Sequence, residues 1–138
     1  MRVVLDTDVV VAAVLSERGA SRQLLLKVVD GQLLALVSVS LMLEYEAVLK
    51  RPEHLRTAGI TIEDVEIVLD QLAAAMTPVD LFFLWRPLLH DGTDDMVLET
   101  AVNGSADVII TFNTRDFGAV PGRFGIEVCR PGEFLRRF

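Results

Sequence analysis

The 138-residue chain has one cysteine, Cys129, two lysines, Lys27 and Lys50, and two isolated histidines, His54 and His90. A lone thiol excludes an intramolecular disulfide framework, and no Cys/His cluster has zinc-ligand spacing. A basic surplus is also missing. Thirteen Lys and Arg face 20 Asp and Glu, a formal net charge of −7, which excludes a chain that wraps nucleic acid with a broad cationic surface. The longest uncharged stretch is residues 31–43, short of the roughly 20 apolar residues a membrane-spanning helix needs. The first apolar run is broken by Asp6 and Asp8, wrong for the uncharged core of a signal peptide. A soluble cytoplasmic protein with no membrane association is the expectation. What the chain does have is 51% apolar residues, enough for a core and too many for disorder. Its length suits one domain over residues 1–138. There is no internal repeat, low-complexity tract or linker.

Residues 3–5 read as a short buried strand ending at Asp6. Residues 9–15 are apolar nearly all round and suit a helix, although periodicity alone does not separate helix from strand there. Residues 21–30 carry Leu24, Leu25 and Val28 at helical spacing and stop at Gly31. Residues 33–37 form a second strand, after which Ser38 or Ser40 caps a helix bearing Leu41, Glu44, Tyr45 and Val48 that ends before Pro52. Thr61-Ile62-Glu63-Asp64 resembles a capping box, opening a helix to about Met76 with Ile62, Val65, Val68, Leu69 and Leu72 on its apolar face. Residues 79–84, 108–110 and 126–128 are the remaining strands. Thr93 caps a helix that starts with Asp94 and Asp95 and ends at Gly104, and residues 131–137 form a last turn opened by Pro131. Strands alternating with helices imply a three-layer α/β/α sandwich around a mainly parallel sheet of about five strands.

Ligands of such sheets bind beyond the carboxyl ends of the strands, so polar residues at those ends matter most. Asp6, Thr7 and Asp8 follow the first strand, and Glu44 lies one turn into the helix after the second. Asp94 and Asp95 open the helix before the fourth strand, which Thr111, Asn113 and Asp116 follow. Each has an ordinary alternative. An Asp closing a strand forms turns and caps, Glu44 suits a solvated helix face, and Asp94 and Asp95 complement a helix dipole. Asp116, Thr111 and Asn113 satisfy loop backbone equally well. Taken together, they are acids delivered to one end of the sheet, with Arg115 the nearest cation in sequence. Carboxylates converging without paired cations raise one another's pKa or require a cation. Oxygen ligands suit Mg²⁺ or Mn²⁺, which polarise a phosphoryl oxygen and activate an attacking water.

The succession Val-Val-Leu-Asp6-Thr7-Asp8, Leu-Glu44-Tyr-Glu-Ala-Val-Leu, Asp91-Gly-Thr-Asp94-Asp95-Met-Val-Leu and Ile-Ile-Thr111-Phe-Asn113-Thr-Arg-Asp116-Phe resembles the PIN-domain family. Within it, the pattern looks like the VapC-like toxin components of toxin–antitoxin systems. The similarity runs from Arg2 to Phe134 with the motifs in family order. It implies a metal-dependent ribonuclease cutting single-stranded or loop RNA, with Asp6, Glu44, Asp95 and Asp116 holding one or two Mg²⁺ or Mn²⁺ ions. Asp6 would be the central ligand, Asp95 would share the metal, and Glu44 and Asp116 would position waters or a second ion. Thr111 and Asn113 match a polar pair that holds the site, and Thr7, Asp8 and Asp94 are secondary candidates. The resemblance further implies a homodimer or larger assembly and a cognate antitoxin. Two departures stand out: Asp8 where the family commonly has Asn, and Gly92-Thr93 with Met96 where an acidic, often Pro-containing segment and a Lys are frequent.

Two other readings compete. Asp6-Thr7-Asp8-Val9 after an apolar strand also looks like the first motif of haloacid-dehalogenase-like phosphatases. Those enzymes need a Ser/Thr strand end, a Lys and then an acidic pair, whereas here Asp94 and Asp95 precede Thr111. A receiver domain lacks its late Lys here. A catalytically silent PIN-like binding module is the non-enzymatic alternative. Arg51, Arg56, Arg115, Arg123, Arg130, Arg136 and Arg137 are the available phosphate contacts, Arg51 and Arg115 foremost, because the planar guanidinium donates two hydrogen bonds at once; solvating the surface or pairing with nearby acids is an equally ordinary role, and His54 and His90 read as surface or loop residues. Setting aside Asp6, Asp8, Glu44, Asp94, Asp95 and Asp116 leaves 14 of the 20 acids against 13 bases, so the acidic excess is concentrated in the candidate site.

Overall fold

Arg2–Leu5 (β1) is the middle strand of a five-stranded sheet in the computed structural model, which describes residues 1–82 and 92–138. Leu34–Val37 (β2) and Thr77–Pro78 (β3) lie on one side of it, and Val108–Ile110 (β4) and Glu127–Cys129 (β5) on the other, giving the order β3-β2-β1-β4-β5. Every pairing is parallel. Parallel strands need crossovers and are covered on both faces, and the helices supply both. They are Thr7–Leu15 (α1), Ala20–Val29 (α2), Val39–Leu49 (α3), Pro52–Ala58 (α4), Ile62–Ala75 (α5), Gly92–Asn103 (α6), Thr114–Phe117 (α7) and Pro131–Leu135 (α8). The result is a three-layer α/β/α sandwich.

The core follows from the apolar strands. Val3, Val4, Leu5, Ile109 and Ile110 have no solvent exposure, and Tyr45 and Phe117 are the largest fully buried side chains. The chain leaves β1 for β2 and β3 on one side, then returns to place β4 and β5 on the other. The strand order therefore reverses beside β1, which opens a crevice at the carboxyl ends of β1 and β4. At the end of α6, the backbone of Gly104 comes so close to β2 and its neighbours that an added Cβ would lie 2.7 Å from the Leu36 Cδ1 and 2.9 Å from a Val79 methyl.

Helix starts follow capping chemistry. Ser38, not Ser40, caps α3, accepting from the Leu41 N–H at 3.2 Å. Thr61 and Asp64 form a reciprocal capping box on α5. The structure departs from the sequence reading at several elements, among them two short helical segments after β4, Thr114–Phe117 and Pro121–Phe124, that the sequence does not announce. Residues 52–58 form α4, opened by Pro52 at its first turn and stopped by Gly59 at φ 67°. The third strand is Thr77–Pro78, with a last rung from Val79 N–H to Val37 O at 2.8 Å. Since β2 ends at Val37, residues 80–82 have no ladder to join, and residues 83 and 84 lie outside the described residues, as does His90. α6 already begins at Gly92, so Thr93 sits within its first turn and not ahead of it; the first helical N–H groups need no intrahelical partner, which makes Gly tolerable there. Ile62, placed on the apolar face of α5, is 45% exposed at the helix start, while Val65, Leu69 and Leu72 are buried. His54 is a half-buried residue of α4 and not a loop residue. No helix among the described residues is long and apolar enough to cross a membrane.

Candidate active site

Asp6 ends β1 and caps α1, and both roles fix its carboxylate. Its N–H continues the ladder to Ile110 O at 2.9 Å. One carboxylate oxygen, Oδ1, accepts from the Thr7 N–H at 2.7 Å, while Oδ2 accepts from the Thr111 hydroxyl at 2.7 Å. Thr111 is completely buried at the end of β4 and itself accepts from the Asn113 N–H at 3.0 Å. Asp8, in the first turn of α1, accepts from the Asn113 side-chain amide at 3.0 Å and from the Phe112 N–H at 3.2 Å. The ends of β1 and β4 are thus tied together by polar side chains that the apolar strands deliver to one place.

Two further links bring the flanking helices to the same point. The Tyr45 hydroxyl donates to Leu5 O, the carbonyl just before Asp6. Burial and the Asp6 charge hold its pKa well above 10, so it stays a donor. Glu44, its neighbour on α3, is half-buried and is carried along with it. The Ser38 and Thr100 hydroxyls meet at 2.8 Å, joining the start of α3 to α6, whose first turn holds Asp94 and Asp95.

These elements enclose a cavity of about 430 Å³. Asp6, Thr7, Asp8, Glu44, Asp94, Asn113 and Asp116 all line it, together with Arg51. Three expected residues are not in its lining. Asp95 is buried beside Asp94 on α6, Thr111 lies beneath Asp6, and Arg115 is exposed on α7. Conversely His54, Phe112 and the apolar Val11, Ala12, Leu15 and Val48 line the cavity. A signal for His54 was present, because Pro at a first helical position predicts a helix from Pro52, which puts Arg51 and His54 one turn apart. A larger cavity, about 570 Å³, opens at the amino ends of β1, β2 and β3 and has no acidic side chain in its lining.

The electrostatics are those of crowded carboxylates. Burial first, then the Asp6 charge, push the Asp8 carboxyl up to about 6, against backbone donations from Phe112 and Val9. Asp8 Oδ1 and the Thr7 hydroxyl are buried with no hydrogen-bond partner, which is unusual for buried polar atoms and leaves two oxygens able to take a ligand. The donor set is all oxygen and largely anionic, the chemistry of a hard divalent cation. Among the described residues no three His, Cys, Asp or Glu side chains are gathered tightly enough to enclose a metal ion.

The PIN-domain family model matches residues 2–115, a span that includes Asp6, Glu44, Asp94, Asp95 and Thr111. The chain belongs to the PIN-domain family. PIN domains are generally nucleases, and the crevice at the strand-order reversal is where this PIN domain collects its acids. Asp116 lies one residue beyond the matched span, on α7. A chain in the crystal structure of VapBC2 from Rickettsia felis, bound to a DNA fragment from their promoter, has the same fold. The TM-score is 0.64 at 14% identity, with 94% of this chain and 98% of that one covered. No curated protein sequence matches this PIN domain.

Proposed function

We propose that the protein is a Mg²⁺- or Mn²⁺-dependent endoribonuclease that hydrolyses single-stranded or loop RNA, and that it is the toxin half of a toxin–antitoxin pair. One observation carries the reading: in a PIN domain, five carboxylates, Asp6, Asp8, Glu44, Asp94 and Asp116, line a single cavity where the strand order reverses. The fold shared with a chain of VapBC2 supports the toxin assignment, and with it a cognate antitoxin and assembly as a dimer or larger.

Asp6, Glu44, Asp94 and Asp116, which share the cavity lining, are the proposed ligands, with Asp8 beside them; Asp95, the ligand the resemblance implies, is buried next to Asp94. When bound, the divalent ion supplies positive charge for a phosphoryl oxygen and lowers the pKa of an attacking water. The residues of the chain do the rest. Thr111 and the Thr7 N–H hold both oxygens of Asp6 in place, so the carboxylate is oriented before substrate arrives. Tyr45 locks α3, and therefore Glu44, onto the end of β1. The apolar wall of Val11, Leu15 and Val48 lowers the local dielectric, which strengthens each charge interaction across the cavity.

The phosphatase reading needs a lysine at the site. Lys50 pairs with Glu46 at 3.1 Å and Glu66 at 3.3 Å, and Lys27 sits over the Phe138 ring; neither lines the cavity. The test is cleavage of an unstructured RNA with Mn²⁺ by the wild type and by Asp6→Asn. Asn remains a good helix cap, so the fold survives, and we expect the rate to fall by about 10³-fold, roughly 4 kcal/mol. Equal cleavage by both proteins would overturn the site. Phosphate release from a phosphomonoester without RNA cleavage would favour the phosphatase, and metal binding at Asp6 without turnover would favour a silent module.

A further inference from the structure

The acidic wall explains how a cation is held but not how a polyanion enters a cavity lined by five carboxylates. Two basic side chains of the same lining do. Arg51 precedes α4 and His54 follows one turn later; both line the cavity. Among the described residues the Arg51 guanidinium makes no ion pair or hydrogen bond. The His54 ring is anchored, with Nδ1 lying 2.7 Å from Val48 O. A carbonyl only accepts, so Nδ1 carries the hydrogen, and in the neutral ring Nε2 is then an acceptor without a hydrogen to donate. In that form a phosphate oxygen has nothing to give Nε2, and a sugar hydroxyl does.

We propose that Arg51 and His54 form a ribonucleotide subsite, Arg51 binding a phosphate of the strand and His54 Nε2 accepting from a ribose 2′-hydroxyl. The inference rests on the nuclease reading and deepens it, because it names the groups that distinguish RNA from DNA. Dimensions agree. The cavity follows α1 from Asp8 to Leu15, about 10 Å at 1.5 Å per residue, and its 430 Å³ suits one nucleotide. Val11, Ala12 and Leu15 form an apolar floor for the sugar and base. Phe112, 36% exposed with its N–H bonded to Asp8, adds an aromatic residue to the lining at the acidic end. The 2′-hydroxyl is the one group by which a protein tells the two nucleic acids apart at a given position.

The experiment measures binding of fluorescein-labelled oligouridylate and oligodeoxyuridylate by fluorescence anisotropy over a salt series, with Asp6→Asn as the uncleaving parent. The parent is expected to bind the ribose strand about three- to tenfold more tightly, the worth of one hydrogen bond. His54→Asn keeps an amide nitrogen for Val48 O but has no Nε2, and should bring the two strands within about twofold at an unchanged urea midpoint. Arg51→Ala should weaken both strands about tenfold and flatten the slope of log K against log salt by about 0.7, one phosphate contact to a single strand. A preference for ribose that survives His54→Asn overturns the subsite, and so does an unchanged salt slope in Arg51→Ala. The two proposals fail separately. RNA cut at the wild-type rate and KM by Arg51→Ala and His54→Asn in an otherwise wild-type chain overturns the subsite and leaves the nuclease. RNA bound with these dependences yet never cut overturns the nuclease and leaves the subsite.

Discussion

Asp8 is ionised against its surroundings. Burial and the Asp6 charge favour its protonated form, so its folded pKa of about 6 lies above the ordinary carboxylate value in the unfolded chain. An acid shifted this way contributes stability that is full below about pH 4 and is lost as pH rises through about 6. Above that, the ionised group costs the metal-free fold about 1–2 kcal/mol, once the shift is discounted for solvent screening at a part-exposed side chain. Asp8→Asn should therefore raise the urea midpoint in chelator at neutral pH, with the difference vanishing near pH 4. An equal gain at both pH values would trace the effect to something other than charge. The Asn oxygen still accepts from Phe112 and Asn113, so the local bonds are kept. At this scale the sequence is a good guide where a strand end announces a residue, as with Asp6, Thr111 and Asn113. It is a poor guide where two adjacent acids compete. Asp94 lines the cavity while Asp95 is buried beside it, and a difference of about 100° around a helix is not visible without knowing how that helix is rolled.

Elements were legible in proportion to their punctuation. Strands β1, β2, β4 and β5 fall within a residue of the apolar runs that announce them, and the Thr61–Asp64 capping box opens α5 as its pattern requires. The misses are short segments. α4 has seven residues, none of them fully buried, so it has no apolar stripe to detect, and without it His54 reads as a surface or loop residue. β3 is two residues long because its partner strand runs out. Packing between elements was not legible at all. Gly104 shows why: its role comes from Leu36 and Val79, 68 and 25 residues away, and from the Thr100 carbonyl at 3.0 Å from an added Cβ. Gly104→Ala should destabilise the fold by about 1–3 kcal/mol through overpacking, read as a lower urea midpoint with unchanged slope. A loss below about 0.5 kcal/mol would mean that α6 can withdraw from β2 without cost.

For the whole molecule the net charge of −7 is a matter of location. Much of the excess lines one cavity, so neutralising that cavity should act on the entire fold. Divalent ion that binds the folded state alone adds RT ln(1 + [L]/Kd), about 2.7 kcal/mol at a hundredfold excess over Kd, or roughly 9 °C in Tm for a chain of this size. We expect Mn²⁺ to raise Tm in the wild type and to leave Asp6→Asn nearly unmoved in calorimetry. A wild-type Tm indifferent to Mn²⁺ and Mg²⁺ would count against the metal centre, whatever the RNA assay reports.

The sheet also has a boundary condition. Its β3 edge is two residues long, and one of them, Pro78, has no N–H. Short, proline-bearing edges are poor templates for another strand. Among the described residues, copies of this chain therefore have no continuous hydrogen-bonding rail to share along that side. Partners are left to meet it through side chains of the helical layers, so association there can be altered by surface substitution without unpicking the backbone ladder.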